Sequence, residues 1–248
     1  MEKKNAIDFL LYSYFGVTTD SDWEKCVEAA IMKAYNDATM QGAYNALIPK
    51  GNDDLHKKSD KAKKEAATLI KTQIKELFTN YSGSFCNWHS TLCGEIKNRY
   101  SDVKSENTLF TYGNAQKWVN MTIKYICILD LLNDYHYYRD NIGKHIKDFH
   151  VPIDSYIIDA VKAEPRDDKR YGEYVLGLTS NVTSWSKWDR PDEYKSYQKN
   201  IRKEVQQKFV KSPIEWESKA WIEQAEKRKQ NDKQAKWDSF FKEKNSQE

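Results

Sequence analysis

A chain of 248 residues, 39% apolar and 31% charged, fits one large domain or two lobes that share a core. Its net charge of +3 excludes a histone-like polycation, so any nucleic-acid contact must rest on local clusters. Nine glycines and five prolines are too few for a sandwich or barrel built on tight turns, and an all-α fold is the expectation.

Ala6 to Gly16 is a short apolar and aromatic segment, helix or strand by its period, in which Tyr12, Tyr14 and Phe15 pack on the core or line a pocket. With the leading Met1-Glu-Lys-Lys it is too short to cross a bilayer, which predicts a cytoplasmic protein without membrane contact. Asp20 or Ser21 then caps a helix whose Trp23, Val27, Ala30, Ile31, Ala34 and Ala38 share one face, ending at Gln41-Gly42. After a loop punctuated by Pro49 and Gly51, a lysine-rich helix runs from Leu55 to Phe78. Lys57, Lys58, Lys61, Lys63, Lys64, Lys71 and Lys75 make it a solvated face or a phosphate-tracking one. Phe85 to Tyr100 is a further helix, where His89 reads as a packed histidine rather than a ligand because no second histidine sits at metal spacing.

Trp118 to Leu132 is apolar on every face and so belongs in the middle of the domain. Lys117 stands at the start of this helix. Asn133 to Gly143 is polar and aromatic, and Tyr135, His136, Tyr137, Tyr138 and Arg139 form a surface loop or a base-stacking platform. His150 and Asp154 flank Pro152, a helix follows from Ser155 to Lys162, and Glu164 to Asp168 is a turn. Residues 171–190 give no clear period, although Tyr171, Tyr174, Trp185 and Trp188 fall among them. Pro191 opens a helix striped with Tyr194, Tyr197, Gln198, Ile201, Val205 and Phe209, and Ser212-Pro-Ile-Glu215 is a capping box opening the last one. Beyond Gln230 the charged tail, 231–248, is anchored by Trp237, Phe240 and Phe241.

Cys26, Cys86, Cys93 and Cys127 lack the CxxC spacing of a zinc or iron–sulfur site and read as free thiols, so no metal and no cofactor is expected. No Walker, dinucleotide, Gly-x-Ser-x-Gly or His-Glu-x-x-His motif is present. Two residues remain as candidates for chemistry. A lysine at a helix start is commonly solvated, and an aspartate after Pro-Ile commonly caps a helix. Yet a desolvated lysine is a nucleophile, and a nearby carboxylate stabilises a sugar cation.

Gly113-x-x-x-Lys117-x-x-Asn120, followed 37 residues after the lysine by Asp154 in Val151-Pro152-Ile153-Asp154, resembles the core of the helix-hairpin-helix DNA glycosylases. The likeness covers about 45 of the 248 residues and is nearest to the 8-oxoguanine glycosylase branch and its archaeal relatives. It implies a two-lobed helical bundle with a central cleft, in one domain over 1–248, the helix-hairpin-helix and catalytic segment lying at about 101–162. It also implies a monomer that acts on duplex DNA with a flipped base; some members carry a four-cysteine cluster near the C-terminus, and since nothing after Cys127 could supply one, no iron–sulfur cluster is expected. Lys117 is then the nucleophile that attacks C1′, with strand cleavage by β-elimination as a further step, and Asp154 the electrostatic stabiliser. Gly113, Asn114, Ala115 and Gln116 would hold a DNA phosphate at the helix start. Phe110-Thr-Tyr-Gly113-Asn-Ala115 stands where the family carries a Leu-Pro-Gly-Val-Gly hairpin. Asn120, His150, Trp185, Trp188 and Gln198 are candidate pocket residues. The resemblance favours 8-oxoguanine, while the aromatic residues over 171–198 suit a bulkier base, as in a defence enzyme acting on phage DNA. The contrasting expectation is a non-catalytic helical module that binds nucleic acid or a partner protein.

Overall fold

The structure, a computed structural model, describes residues 2–39, 44, 48–106, 109–133, 139–162, 184–208 and 210–245. Among them the architecture is helical: α1 (Lys3–Phe15), α2 (Trp23–Thr39), α3 (Asp53–Thr79), α4 (Phe85–Arg99), α5 (Tyr112–Leu132), α6 (Arg139–His145), α7 (Ser155–Lys162), α8 (Pro191–Gln207) and α9 (Pro213–Asn245). A 3₁₀ turn, Trp185–Lys187, precedes α8. The expected all-α class is what the described residues form. The ambiguous first segment is a helix, closed by Gly16 in the left-handed conformation (φ 73°) that a glycine adopts at no steric cost. Asp22, rather than Asp20 or Ser21, caps α2, its Oδ1 accepting from Lys25 N at 2.9 Å. Ser212 opens α9 as expected, its Oγ accepting from Glu215 N at 3.2 Å, while the Glu215 carboxylate pairs with Lys219 rather than returning to Ser212.

α5 is the central element. Trp118, Val119, Ile123, Ile126 and Leu129 are fully or almost fully buried, and α5 lies against α2, α4, α6 and the 3₁₀ turn. The Trp118 indole N–H donates to Ile31 O of α2 at 2.9 Å, so the largest side chain of the interface is buried with its one polar atom satisfied. At about 25 cal/mol per Å² over roughly 200 Å², its burial contributes on the order of 5 kcal/mol. Tyr100 and Phe110, stacked with centroids 3.9 Å apart, close the core where the chain enters α5. α7 packs on α9 and, less extensively, on α8.

α3 buries Leu55, Ala62, Ala66, Ile70, Ile74, Leu77 and Phe78, and three lysines of its outer face pair with acids of this chain: Lys58 with Asp54 (2.6 Å), Lys61 with Glu65 (3.9 Å) and Lys71 with Glu28 (2.7 Å). α9 continues into the charged tail, and Lys229 to Trp237 are all exposed. Tyr135 to Tyr138, expected as a surface loop or a base-stacking platform, the turn expected at 164–168, and Gln41, Gly42, Tyr171, Tyr174 and Phe209 lie outside the described residues. No described helix is long and apolar enough to cross a membrane.

Candidate active site

α5 is buried all round except along one stripe. Lys117, Met121, Lys124 and Ile128, at spacings of four, three and four, are its partly exposed residues on that side, and all four line a cavity of about 630 Å³. α1 and α2 supply Tyr14, Phe15 and Asp37 to the cavity, the chain entering α7 supplies Asp154 and α7 itself Tyr156, the 3₁₀ turn Trp185, and α9 Glu217 and Trp221.

Lys117 and Asp154 meet here. The amine stands 3.7 Å from Asp154 Oδ2, with both side chains largely buried, and 4.5 Å from the centre of the Trp185 ring. Burial pushes the amine below its ordinary value of 10.5, and Asp154, Asp37 and Glu217 pull the other way. Desolvation wins. Asp154 also serves the fold: its Oδ1 accepts from Tyr156 N (3.0 Å) and Ile157 N (3.1 Å), capping α7. The capping and catalytic readings of this aspartate are therefore compatible, because each uses a different oxygen.

The segment before Asp154 is held by side chains from two helices. Asn120 Nδ2 donates to Val151 O at 3.2 Å, and Gln116 Nε2 to Ile153 O at 3.2 Å. Gln198, from α8, brackets Val151, accepting from its N–H at 3.1 Å and donating to its carbonyl at 2.6 Å. His150 Nδ1 lies 2.7 Å from the Tyr194 hydroxyl, and Asn120 Nδ2 donates to the same oxygen. Burial keeps His150 neutral and pushes the adjoining His89 down to about 3. Asn120, His150 and Gln198 are thus buried residues that position the Asp154 segment, and none of them lines the cavity. Trp188 is buried in a stack with Tyr197, and of the five candidate pocket residues Trp185 reaches the cavity.

The start of α5 departs from the expected hairpin. A capping box between Thr111 and Asn114 begins the helix at Tyr112, which places Lys117 one and a half turns inside it rather than at its opening. Gly113, Asn114, Ala115 and Gln116 are buried. Gly113 N donates to Trp188 O (2.9 Å), Asn114 N to Thr111 Oγ1 (3.2 Å) and Ala115 N to Thr111 O (3.2 Å). These amides are occupied by the protein, and a phosphate role for them is set aside. Gly113 admits the Trp185 carbonyl instead, since a Cβ there would collide with that oxygen and stand 2.9 Å from its carbon.

Lys124 and Glu217 escaped the sequence reading. Their ion pair of 2.6 Å sits in the same cavity, and burial raises the Glu217 carboxyl although Lys124 opposes it. The signal for Lys124 was its place two turns after Lys117 on one face; for Glu217 there was none, because its partner lies on another helix. The same holds for Asp37, whose carboxylate accepts from the Tyr125 hydroxyl across 88 positions of sequence. The described residues hold no group of three or more His, Cys, Asp or Glu placed to bind a metal. Comparison of the chain with protein-family models, with curated proteins and with solved structures finds no match.

Proposed function

We propose that the protein is a DNA glycosylase that removes a damaged or modified base from a duplex, acting as a monomer on a nucleotide flipped into the Lys117 cavity. One observation carries this reading: an amine and a carboxylate that are 37 positions apart meet at 3.7 Å, largely buried, on the wall of a cavity lined by aromatic rings. The volume, about 630 Å³, falls within the roughly 300–1,000 Å³ of small-molecule sites. Flipping is required because the glycosidic bond is out of reach inside a stacked duplex.

In the proposed reaction the glycosidic electron pair leaves with the base, and positive charge grows on C1′ and the ring oxygen. Asp154 Oδ2 faces that charge and stabilises it. The Lys117 amine, in its neutral form, gives its lone pair to C1′; one of its N–H protons passes to O4′, which takes the C1′–O4′ electron pair as the sugar ring opens, and a Schiff base that keeps the other N–H proton joins Lys117 to C1′ while the base departs as its anion. Trp185, Tyr156 and Trp221 line the cavity, and aromatic rings of this kind stack on extrahelical bases. Substrates considered are 8-oxoguanine and bulkier modified bases, the latter in a defence role against phage DNA.

The test is borohydride trapping on duplexes carrying 8-oxoguanine and other modified bases. The expected result is a covalent protein–DNA adduct with at least one of them, abolished in Lys117→Gln, together with loss of base release in Asp154→Asn. Absence of an adduct from every duplex and from an abasic-site duplex, or its persistence in Lys117→Gln, overturns the proposal.

A further inference from the structure

Three carboxylates face this cavity, and two of them, Asp37 and Glu217, have no part in the excision described above. Asp37 on α2 stands at one end of a hydrogen-bonded chain. Its Oδ1 lies 2.7 Å from Lys33 Nζ, and its Oδ2 accepts from the Tyr125 hydroxyl on α5. The Tyr125 oxygen in turn lies 3.0 Å from the Tyr14 hydroxyl on α1. The direction of this chain follows from its end. A lysine-paired carboxylate can only accept, so Tyr125 donates to Asp37 and Tyr14 donates to Tyr125. Lys33, hydrogen-bonded to the Tyr14 side chain as well, takes one lone pair of that oxygen, and its other lone pair is the terminus that accepts a proton. Tyr14, Tyr125 and Asp37 all line the cavity that holds Lys117. Lys33 lies 4.2 Å from the centre of the Tyr14 ring, so one cation balances both ends of the chain.

A second base is called for because Asp154 is committed. Its Oδ1 caps α7 and its Oδ2 faces the Lys117 amine. Glu217 is committed as well, to Lys124. A Schiff base on Lys117 acidifies the hydrogen on C2′, and removing that proton is what starts strand cleavage.

The geometry points to the Tyr14–Tyr125–Asp37 chain as the proton relay of a strand-cleaving step at the Lys117 site. This rests on the glycosylase reading, since the relay serves the Schiff base formed there. The C2′ proton passes to the Tyr14 oxygen while the Tyr14 proton moves to Tyr125 and the Tyr125 proton to Asp37. The C2′–H electron pair becomes the C2′=C3′ bond, and the C3′–O pair leaves with the 3′ phosphate. No oxidant or further reactant is needed, and Asp37 ends protonated beside Lys33. The charged and titratable groups facing Asp37 and its chain are Lys33 on its own helix, Tyr14 on α1, Tyr125, Lys117 and Lys124 on α5, Asp154 before α7, and Glu217 on α9.

An abasic-site duplex tests the relay without knowledge of the excised base, because the C1′ aldehyde forms the Schiff base directly with loss of water. The readout is the ratio of strand cleavage to borohydride-trapped adduct. It should fall by about 10²-fold in Asp37→Asn and Tyr125→Phe, the usual contribution of a positioned general base. Tyr14→Phe, on a half-exposed side chain that tolerates the loss of one oxygen, should lower it comparably. Residual cleavage in Asp37→Asn should rise with pH without a plateau. A ratio unchanged in all three folded variants, or a wild-type protein that traps but never cleaves, overturns the relay. A wild-type protein that does not trap at all overturns the glycosylase reading itself.

Discussion

Replacing Gly113 by alanine separates two accounts of that glycine by the sign of the effect. Helix propensity alone favours Ala by about 1 kcal/mol in a helix, so an unconstrained Gly113→Ala should stabilise the protein. In the structure the new Cβ collides with the Trp185 carbonyl oxygen. The 3₁₀ turn must retreat by more than about 1 Å to restore ordinary contact at roughly 3.5–4 Å. That breaks two interior hydrogen bonds of 2.9 Å, from Gly113 N to Trp188 O and from Thr111 Oγ1 to Ser186 O. At about 1 kcal/mol each, with further loss from loosened packing around Trp188, they exceed the propensity gain, and the net destabilisation is about 1–2 kcal/mol. For a chain of this size the midpoint of thermal unfolding should fall by roughly 3–6 °C. The same retreat lifts the Trp185 ring off Lys117, so adduct formation slows as well. Calorimetry and the trapping assay read both effects. A Gly113→Ala protein as stable as the parent, with full trapping, would refute the close-approach reasoning.

The two oxygens of Asp154 predict a split between its variants. Asp154→Asn keeps an acceptor for Tyr156 N and Ile157 N and should unfold within about 0.5 kcal/mol of the parent while losing base release, whereas Asp154→Ala also loses the cap, at about 1 kcal/mol or more. Denaturant titration of the pair measures the difference. Acid should destabilise the fold from pH 6.5 downward, because His89 and His150 stay neutral when folded and take up protons when unfolded. The unfolded state then binds more protons, so stability falls as pH falls, by about 3 kcal/mol between pH 7.5 and 5.5 for the two together. Equilibrium unfolding at those two pH values checks it. The rate of adduct formation should rise with pH and level off below pH 10.5, since the Lys117 amine is lowered. In Glu217→Gln the levelling should move to lower pH, because a charge that favours the ammonium form is gone; movement to higher pH would contradict the assignment.

What was legible in the sequence followed from local chemistry. The apolar stretch from Trp118 to Leu132 announced a central helix, the period of Tyr194, Tyr197, Gln198 and Ile201 announced α8, and Ser155–Lys162 was read to the residue. The meeting of Lys117 with Asp154 was anticipated from their spacing and family resemblance rather than from any local signal. Boundaries failed where a side chain took an unforeseen role. Asn114 completes a capping box with Thr111, and so the expected hairpin around Gly113 is the first turn of α5. Sequence reading places Asn120, His150 and Gln198 in a pocket, and the structure gives them to the backbone before Asp154. The extended backbone at 150–153 cannot satisfy its own hydrogen bonds and recruits them instead. Lys124–Glu217 and Tyr125–Asp37 were out of reach because each pair forms between helices whose packing no single stretch encodes.

An amine fixed on the most deeply buried helix, among walls borrowed from several other elements, has an evolutionary corollary. α1 buries Leu11 alone among its side chains and yet brings Tyr14 and Phe15 to the rim. The 3₁₀ turn brings one indole, and α9 two side chains a single turn apart. Substitutions in these outlying pieces can reshape what the cavity admits while the amine on α5 stays where Trp118 and Ile31 pin it. Descendants of such a scaffold would diverge in taste before they diverge in chemistry.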